Sequence, residues 1–309
     1  MLILDLTYPL NNLVDKDLQS MLLPLNLIQN ILLCPKYTIQ NNVIYSKSRT
    51  SNVVSLCGMI VSILIYLHHI YELHFHEYIR KLFYLIYILS YFDFFLYSIG
   101  FVINCVVNVM QMERNMLLIL KIQELHRSFN ERNKFKRVII HNWMSIVFVI
   151  GFYTLIIAHH YIYLKMSIAC CICVFTVMCF DVNIVCAARL LKLLTNKVDL
   201  WNIQAQLLPQ IDRTDNETYS KIKMFQAYVN ILECYEIYKT SVHVELFCHA
   251  LIKLKTAIVM LFVPHGSEYV SVTRFSIIGL YVWVIKALVY EIILSVYCEK
   301  FYILSFVDL

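Results

Sequence analysis

The run FSIIGLYVWVIKALVYEIILSVY, from Phe275 to Tyr297, flows without a break into Cys298-Glu299-Lys300-Phe301-Tyr302. At a helical rise of about 1.5 Å per residue it covers roughly 35 Å, enough to cross a bilayer core of about 30 Å with some tilt. The spacing therefore predicts a transmembrane helix. Two ionisable residues interrupt it, Lys286 and Glu291. Five positions apart, they lie about 140° apart around a helix axis, so each needs a neighbouring helix or water rather than the other.

The rest of the chain is built the same way. Of its 309 residues, 60% are hydrophobic and 15% charged, with a mean hydropathy of +0.65. That is more apolar surface than one soluble core can hide. Five Gly and five Pro leave little turn chemistry for a β-barrel, and the apolar runs are continuous rather than alternating. The fold class is all-α, a polytopic membrane helical bundle. The opening Met1-Leu2-Ile3-Leu4-Asp5 lacks a basic n-region and a small-residue cleavage site, so the first span is expected to do the targeting. Cys57, Cys105, Cys170, Cys171, Cys173 and Cys179 sit inside apolar runs, where free thiols behave as small hydrophobes rather than as a disulfide framework. The net charge of +5 points to the membrane surface and not to nucleic acid, because of where the basic residues fall.

Six spans are expected: Asn52 to Tyr71, Leu82 to Met110, Ile139 to Leu164, Met166 to about Ala188, Val242 to Val263, and the opening run. Nineteen Lys and Arg lie in the N-terminal segment, the 111–138 and 188–241 loops and the tail; the remaining loops hold only Arg80, Lys81, Lys165 and Arg274. Basic loops accumulate on the cytosolic side, so both ends are expected inside. The chain then divides into a cytosolic N-terminal segment (1–51), a first membrane block (52–187), a cytosolic helical pedestal (188–241), a second membrane block (242–300) and a divergent cytosolic tail (301–309). Within the pedestal, Leu190, Leu194, Val198 and Trp201 extend the fourth span, and Ile222, Phe225, Val229 and Leu232 mark a separate amphipathic helix. The Asn216-Glu217-Thr218 sequon should stay unmodified if that loop is inside.

Polar groups within spans are costly and normally face the bundle interior or a hydrated cavity. In the second span Asp93, Tyr97, Gly100, Asn104 and Asn108 share one face, read as a packing face in which Gly100 permits close helix approach. Tyr84, Tyr87 and Tyr91 lie on the opposite face, an aromatic stripe that reads either as packing or as a wall of a ligand site. The third span aligns Asn142, Val149, Tyr153 and His160, and the fourth aligns Ser167, Cys170, Val174, Val177 and Asp181. The outer halves of spans two to four are expected to wall an apolar pocket with a few polar contacts. Lys253, Lys255 and Glu245 on span five, with Lys286 and Glu291 on span six, suggest either a hydrated crevice or helix ends that project below the bilayer. Paired histidines occur at His68-His69 and His159-His160, but no ligand set has metal spacing, and Walker, dinucleotide, His-Glu-x-x-His and nucleophile-elbow motifs are absent. No cofactor, metal or enzymatic activity is expected.

Three stretches are similar to insect gustatory receptors, especially those of moths and butterflies: Asp93-Phe94-Phe95-Leu96-Tyr97-Ser98-Ile99-Gly100-Phe101, Leu33-Cys34-Pro35-Lys36-Tyr37, and Tyr297-Cys298-Glu299-Lys300-Phe301-Tyr302. The resemblance spans nearly the whole chain. It implies an inverted-topology, ligand-gated cation channel of the plasma membrane of chemosensory neurons. Such a channel is a tetramer opened by small tastants such as bitter compounds or sugars. It also implies a ligand pocket in the outer half of the bundle, for which Tyr87, Tyr91, Tyr153, His160 and Phe175 are the candidates by position and chemistry. Asp93, Tyr97, Asn104, Asp181, Lys286 and Glu291 are the candidates for intramembrane polar packing. Members of the family have a seventh span with a closing Thr-Tyr-(apolar)-Gln-Phe signature that lines the pore. Here the chain departs from that pattern after Tyr302, so the expectation is a polypeptide truncated before the pore helix and non-conducting alone. A six-helix solute transporter subunit, or a non-conducting partner of full-length receptors, are the alternatives.

Overall fold

A computed structural model describes residues 12–45, 48–75, 84–129, 135–162, 167–207, 216–262 and 270–306. Helix α1 (Lys16–Ile31) is followed by a hairpin, β1 (Thr38–Gln40) and β2 (Val43–Tyr45). Then come α2 (Arg49–Phe75), α3 (Tyr84–Met110), α4 (Met112–Ser128), α5 (Phe135–Ile162), α6 (Ile168–Leu207), α7 (Asn216–Phe262) and α8 (Val270–Phe306). The hairpin turns at Asn41 and Asn42, both in the left-handed region with φ of 52° and 63°. That geometry suits a two-residue turn, and asparagine tolerates it better than most residues.

Five helices are long and apolar enough to cross a membrane: α2, most of α3, most of α5, α6, and α8 from Tyr281. The chain is thus an all-α, multi-pass membrane bundle. The sixth expected span, Val242 to Val263, falls on residues whose side chains lie largely outside the described set, and so do Glu245, Lys253 and Lys255. Helix α6 is the axis of the bundle. Its most apolar window is 67% buried, against 17–28% in the other four, because α1, α2, α5, α7 and α8 all pack on it.

The connections are more helical than the sequence pattern suggests. The stretch expected as a loop at 111–138 contains α4, which buries Leu118, Ile119, Ile122 and Leu125. The amphipathic pedestal helix and the fifth span are one continuous 47-residue helix, α7, since no Gly or Pro interrupts 216–262. Helix α6 likewise runs on for 40 residues, roughly 60 Å.

These extensions build the largest apolar core among the described residues. Leu18 and Leu22 of α1, Ile44 of the hairpin, Leu191 and Leu194 of α6, Ile231 and Cys234 of α7 and Phe301 of α8 all meet there. Burial pushes the Cys234 thiol up to about 12. Of the residues expected as a divergent tail, 301–306 continue α8. Phe301 is 1% exposed and stacks on Tyr235 at 4.2 Å between ring centroids. Tyr228 Oη donates to the Ser305 carbonyl at 2.9 Å, and Asn202 Nδ2 to the Leu304 carbonyl at 2.9 Å.

Candidate functional site

Three helices of the membrane bundle meet at one buried cluster. Lys286 of α8 pairs with Asp181 of α6, each side chain 5% exposed. Tyr153 of α5, 1% exposed, donates its hydroxyl to Asp181 Oδ2 at 2.7 Å and accepts from Lys286 Nζ at 3.3 Å. The ammonium also lies over the rings of Trp283, Tyr153 and Phe152, at 3.7, 5.0 and 5.4 Å from their centroids. An isolated ammonium in such surroundings would be strongly disfavoured. A carboxylate, a hydroxyl and three π-faces together offset that cost. Lys286, expected to need a neighbouring helix or water, is thus paired with a residue of a neighbouring helix. Glu291, one and a half turns further along α8, is exposed.

A second polar feature is a chain of four buried amides. Gln29 Nε2 of α1 donates to Asn183 Oδ1 of α6 at 3.5 Å, and Asn183 Nδ2 donates to Asn104 Oδ1 of α3 at 2.9 Å. Asn108 Nδ2 shares that acceptor at 3.4 Å, while its own Oδ1 has no hydrogen-bond partner among the described residues. The N-terminal segment, expected as a cytosolic lead-in, thus reaches into the bundle. Gln29 was not singled out by sequence, and neither was Asn183, although its position two residues after Asp181 in an apolar run was a usable signal.

Asn104 and Asn108 border a cavity of about 470 Å³ between α2, α3, α6 and the residues following α1. Its walls are mainly aliphatic and thiol-bearing, with Cys34, Cys57, Cys105, Cys179, Phe101 and Phe175 among them. Such an apolar space with a few polar groups is what small-molecule sites usually offer. One wall is Leu33, in the left-handed region at φ 58°, which lies against Gly58 of α2 so closely that a Cβ there would meet Leu33 Cδ1 at 2.7 Å.

The candidate ligand residues do not form one wall. Phe175 is 40% exposed and lines this cavity. Tyr153 belongs to the ion-pair cluster, and Tyr91, also 40% exposed, stands opposite His74 with Oη 3.4 Å from Nδ1. The side chains of Tyr87 and His160 lie outside the described residues. Among the polar candidates, Tyr97 and Asn104 are buried at 7% and 8% exposure, and Gly100 between them is buried too, while Asp93 is partly exposed. Tyr97 packs against Tyr66 of α2 and Phe180 of α6, with centroids 5.5 and 6.1 Å away.

No protein-family model, curated protein or solved structure matches the chain. Fold and site together define a multi-pass α-helical membrane protein with an ion pair and an amide chain buried among its helices.

Proposed function

We propose that the chain is a gustatory-receptor-type polypeptide, a subunit of a ligand-gated cation channel of the plasma membrane of chemosensory neurons. It detects small tastants such as bitter compounds or sugars and assembles as a homo- or hetero-oligomer, a tetramer by resemblance. In this reading there are six spans, with the N-terminus and the packed helical base in the cytosol, as the loop charges require.

The observation that carries the reading is the 470 Å³ cavity, of a size suited to a small molecule; in this orientation it lies between 53–65 of α2 and 101–108 of α3, in the inner half of the bundle and not in the outer half that the resemblance implies. It is bordered by Asn104 and Asn108, which connect through Asn183 to Gln29 on α1. A tastant in the cavity would thereby act on the helix that packs both in the bundle and in the base. The stretches 33–37, 93–101 and 297–302 supply the family likeness.

The test is calcium influx in cells expressing the chain, alone and together with full-length receptors of the resembled family, over a panel of bitter compounds and sugars. A tastant-dependent signal that Thr176→Trp abolishes by filling the cavity is expected in co-expression. Absence of any tastant response in either setting would overturn it. The Lys286–Asp181 pair favours a second reading, since ionisable pairs among spans often serve solute or proton movement. Solute uptake by the isolated chain, lost in Lys286→Met, would decide for that transporter.

A further inference from the structure

A second space of about 390 Å³ opens between α5, α6 and α8, below the Lys286–Asp181 cluster. Its floor is buried: Val149, Ile184, Val185 and Tyr290 are 1%, 2%, 8% and 6% exposed. Its rims are not, since Met144 and Phe148 of α5 and Ile293 of α8 are 62%, 64% and 40% exposed. This makes an apolar groove reached from the lipid side. It follows α8 from Val289 to Tyr297, about 12 Å at the helical rise.

One end of the groove is basic. Arg189 lines it and donates to Ser145, and Lys192, one turn further along α6, lies 5.7 Å from the ring centroid of Tyr297. Arg137 and His141 of α5 lie close enough to interact electrostatically, His141 with Arg189, Lys192 and Arg137 alike. Among the described residues no carboxylate pairs with Arg137, Arg189 or Lys192. At the floor, the Tyr290 hydroxyl has no hydrogen-bond partner among the described residues. Cations that no described carboxylate neutralises, at the mouth of an apolar, lipid-facing groove, are complementary to a molecule with an anionic head and a hydrocarbon chain.

We infer that this groove is a binding site for an anionic phospholipid of the cytosolic leaflet, its phosphate held by Arg189, Lys192 and Arg137 and one acyl chain laid between α5 and α8. The inference rests on the proposed orientation, which puts the basic end on the cytosolic side, where anionic lipids concentrate. It does not depend on a tastant or on conduction. Bound lipid would clamp α5 and α8 to α6 next to the Lys286–Asp181 pair, so leaflet composition would bias the same helix packing.

The experiment is native mass spectrometry of the full chain in detergent, titrated with phosphatidylserine, phosphatidylcholine and inorganic phosphate. Phosphatidylserine should be retained in preference to phosphatidylcholine. The Arg137→Gln, Lys192→Gln double variant should weaken that retention roughly tenfold or more, and Ile293→Trp, which fills the groove with charges intact, should abolish it. Lys221→Gln with Lys223→Gln, the same charge change on α7, should leave it unaltered. Equal retention of both lipids, or retention indifferent to Ile293→Trp, overturns the site. Displacement of phosphatidylserine by millimolar inorganic phosphate would identify a free-anion site instead and overturn the lipid assignment. Should the double variant fail to elute as a folded species, Ile293→Trp alone decides, and tastant responses measured separately keep the two readings distinguishable.

Discussion

Lys286 of α8 and Asp181 of α6 form an ion pair that is 5% exposed on both sides and is completed by the Tyr153 hydroxyl from α5. Removing one charge strands the other in an apolar interior. Asp181→Leu or Lys286→Met should each destabilise the detergent-solubilised protein by about 3–5 kcal/mol. The double variant Asp181→Leu, Lys286→Met strands neither, and should recover most of that loss. Thermal unfolding of the four proteins measures the coupling; simple additivity would show that the pair contributes nothing as a pair. Tyr153→Phe should cost about 1–3 kcal/mol, because it removes one acceptor and one donor at once.

A second prediction concerns how α1 ends. Leu33 N bonds to the Asn30 carbonyl at 3.1 Å and Cys34 N to the Gln29 carbonyl at 2.9 Å, the paired bonds of a Schellman cap. Leu33 occupies the left-handed position, which costs a leucine roughly 1–2 kcal/mol relative to glycine. It is 42% exposed, so little burial offsets that cost. Leu33→Gly is therefore expected to raise stability by about 1 kcal/mol. Gly58→Ala alone should gain less than the roughly 1 kcal/mol of helix propensity ordinary for such a change, since its Cβ would meet Leu33 Cδ1 at 2.7 Å and that side chain must shift. In the Leu33→Gly background the same change should show the full gain. Denaturation midpoints of the two single variants and the double variant decide, and a Gly58→Ala effect unchanged by Leu33→Gly would refute the contact.

The acid limit of stability should respond to Asp15. Its carboxylate accepts from Arg127 Nη2 at 2.9 Å and Nε at 3.2 Å, and this hydrogen bonding, ahead of the charge itself, holds its pKa below the ordinary 3.8. A depressed folded-state pKa means the contribution is complete above about pH 4 and fades as pH falls through the lower folded value. Both partners are over two-fifths exposed, which limits the effect to about 0.2–1 kcal/mol. Asp15→Asn should thus lower stability at pH 7 slightly and by less at pH 2. An equal loss at both pH values would assign the effect to packing rather than to ionisation.

How far these features were legible varies with the physics behind them. Lys286 was conspicuous because a charge within an apolar run has no cheap solution, and Asp181 was marked for the same reason. Their pairing was not legible, since it depends on which helices are neighbours. The break expected near residue 241 followed a change from amphipathic to apolar pattern. Composition changes there, yet nothing stops the backbone, and α7 continues. Helix α4 was hidden by the charge of its loop, though Leu118, Ile119, Ile122 and Leu125 carry helical spacing. An apolar pocket was expected among spans two to four, but the position of this cavity was not legible, because it is the space left by Gly58, Leu33 and a helix cap rather than the property of any one segment.

The end of α8 provides the last prediction. Phe301 lies nearly flat on Tyr235, 14° from parallel, and both contribute to the core that joins α4, α6 and α7. A buried phenylalanine cut to alanine typically costs about 3–5 kcal/mol, from lost transfer energy and the cavity it leaves. Phe301→Ala should therefore unfold the helical base before the membrane bundle, because the ring lies in the base and far along α8 from Lys286 and Trp283. Tyr228→Phe, which removes only the hydroxyl that donates to the Ser305 carbonyl, should cost about 1 kcal/mol. Limited proteolysis separates the two outcomes. New cleavage within 188–241 in Phe301→Ala, with the membrane helices still protected, is expected; protection identical to wild type would mean that α8 does not hold the base together.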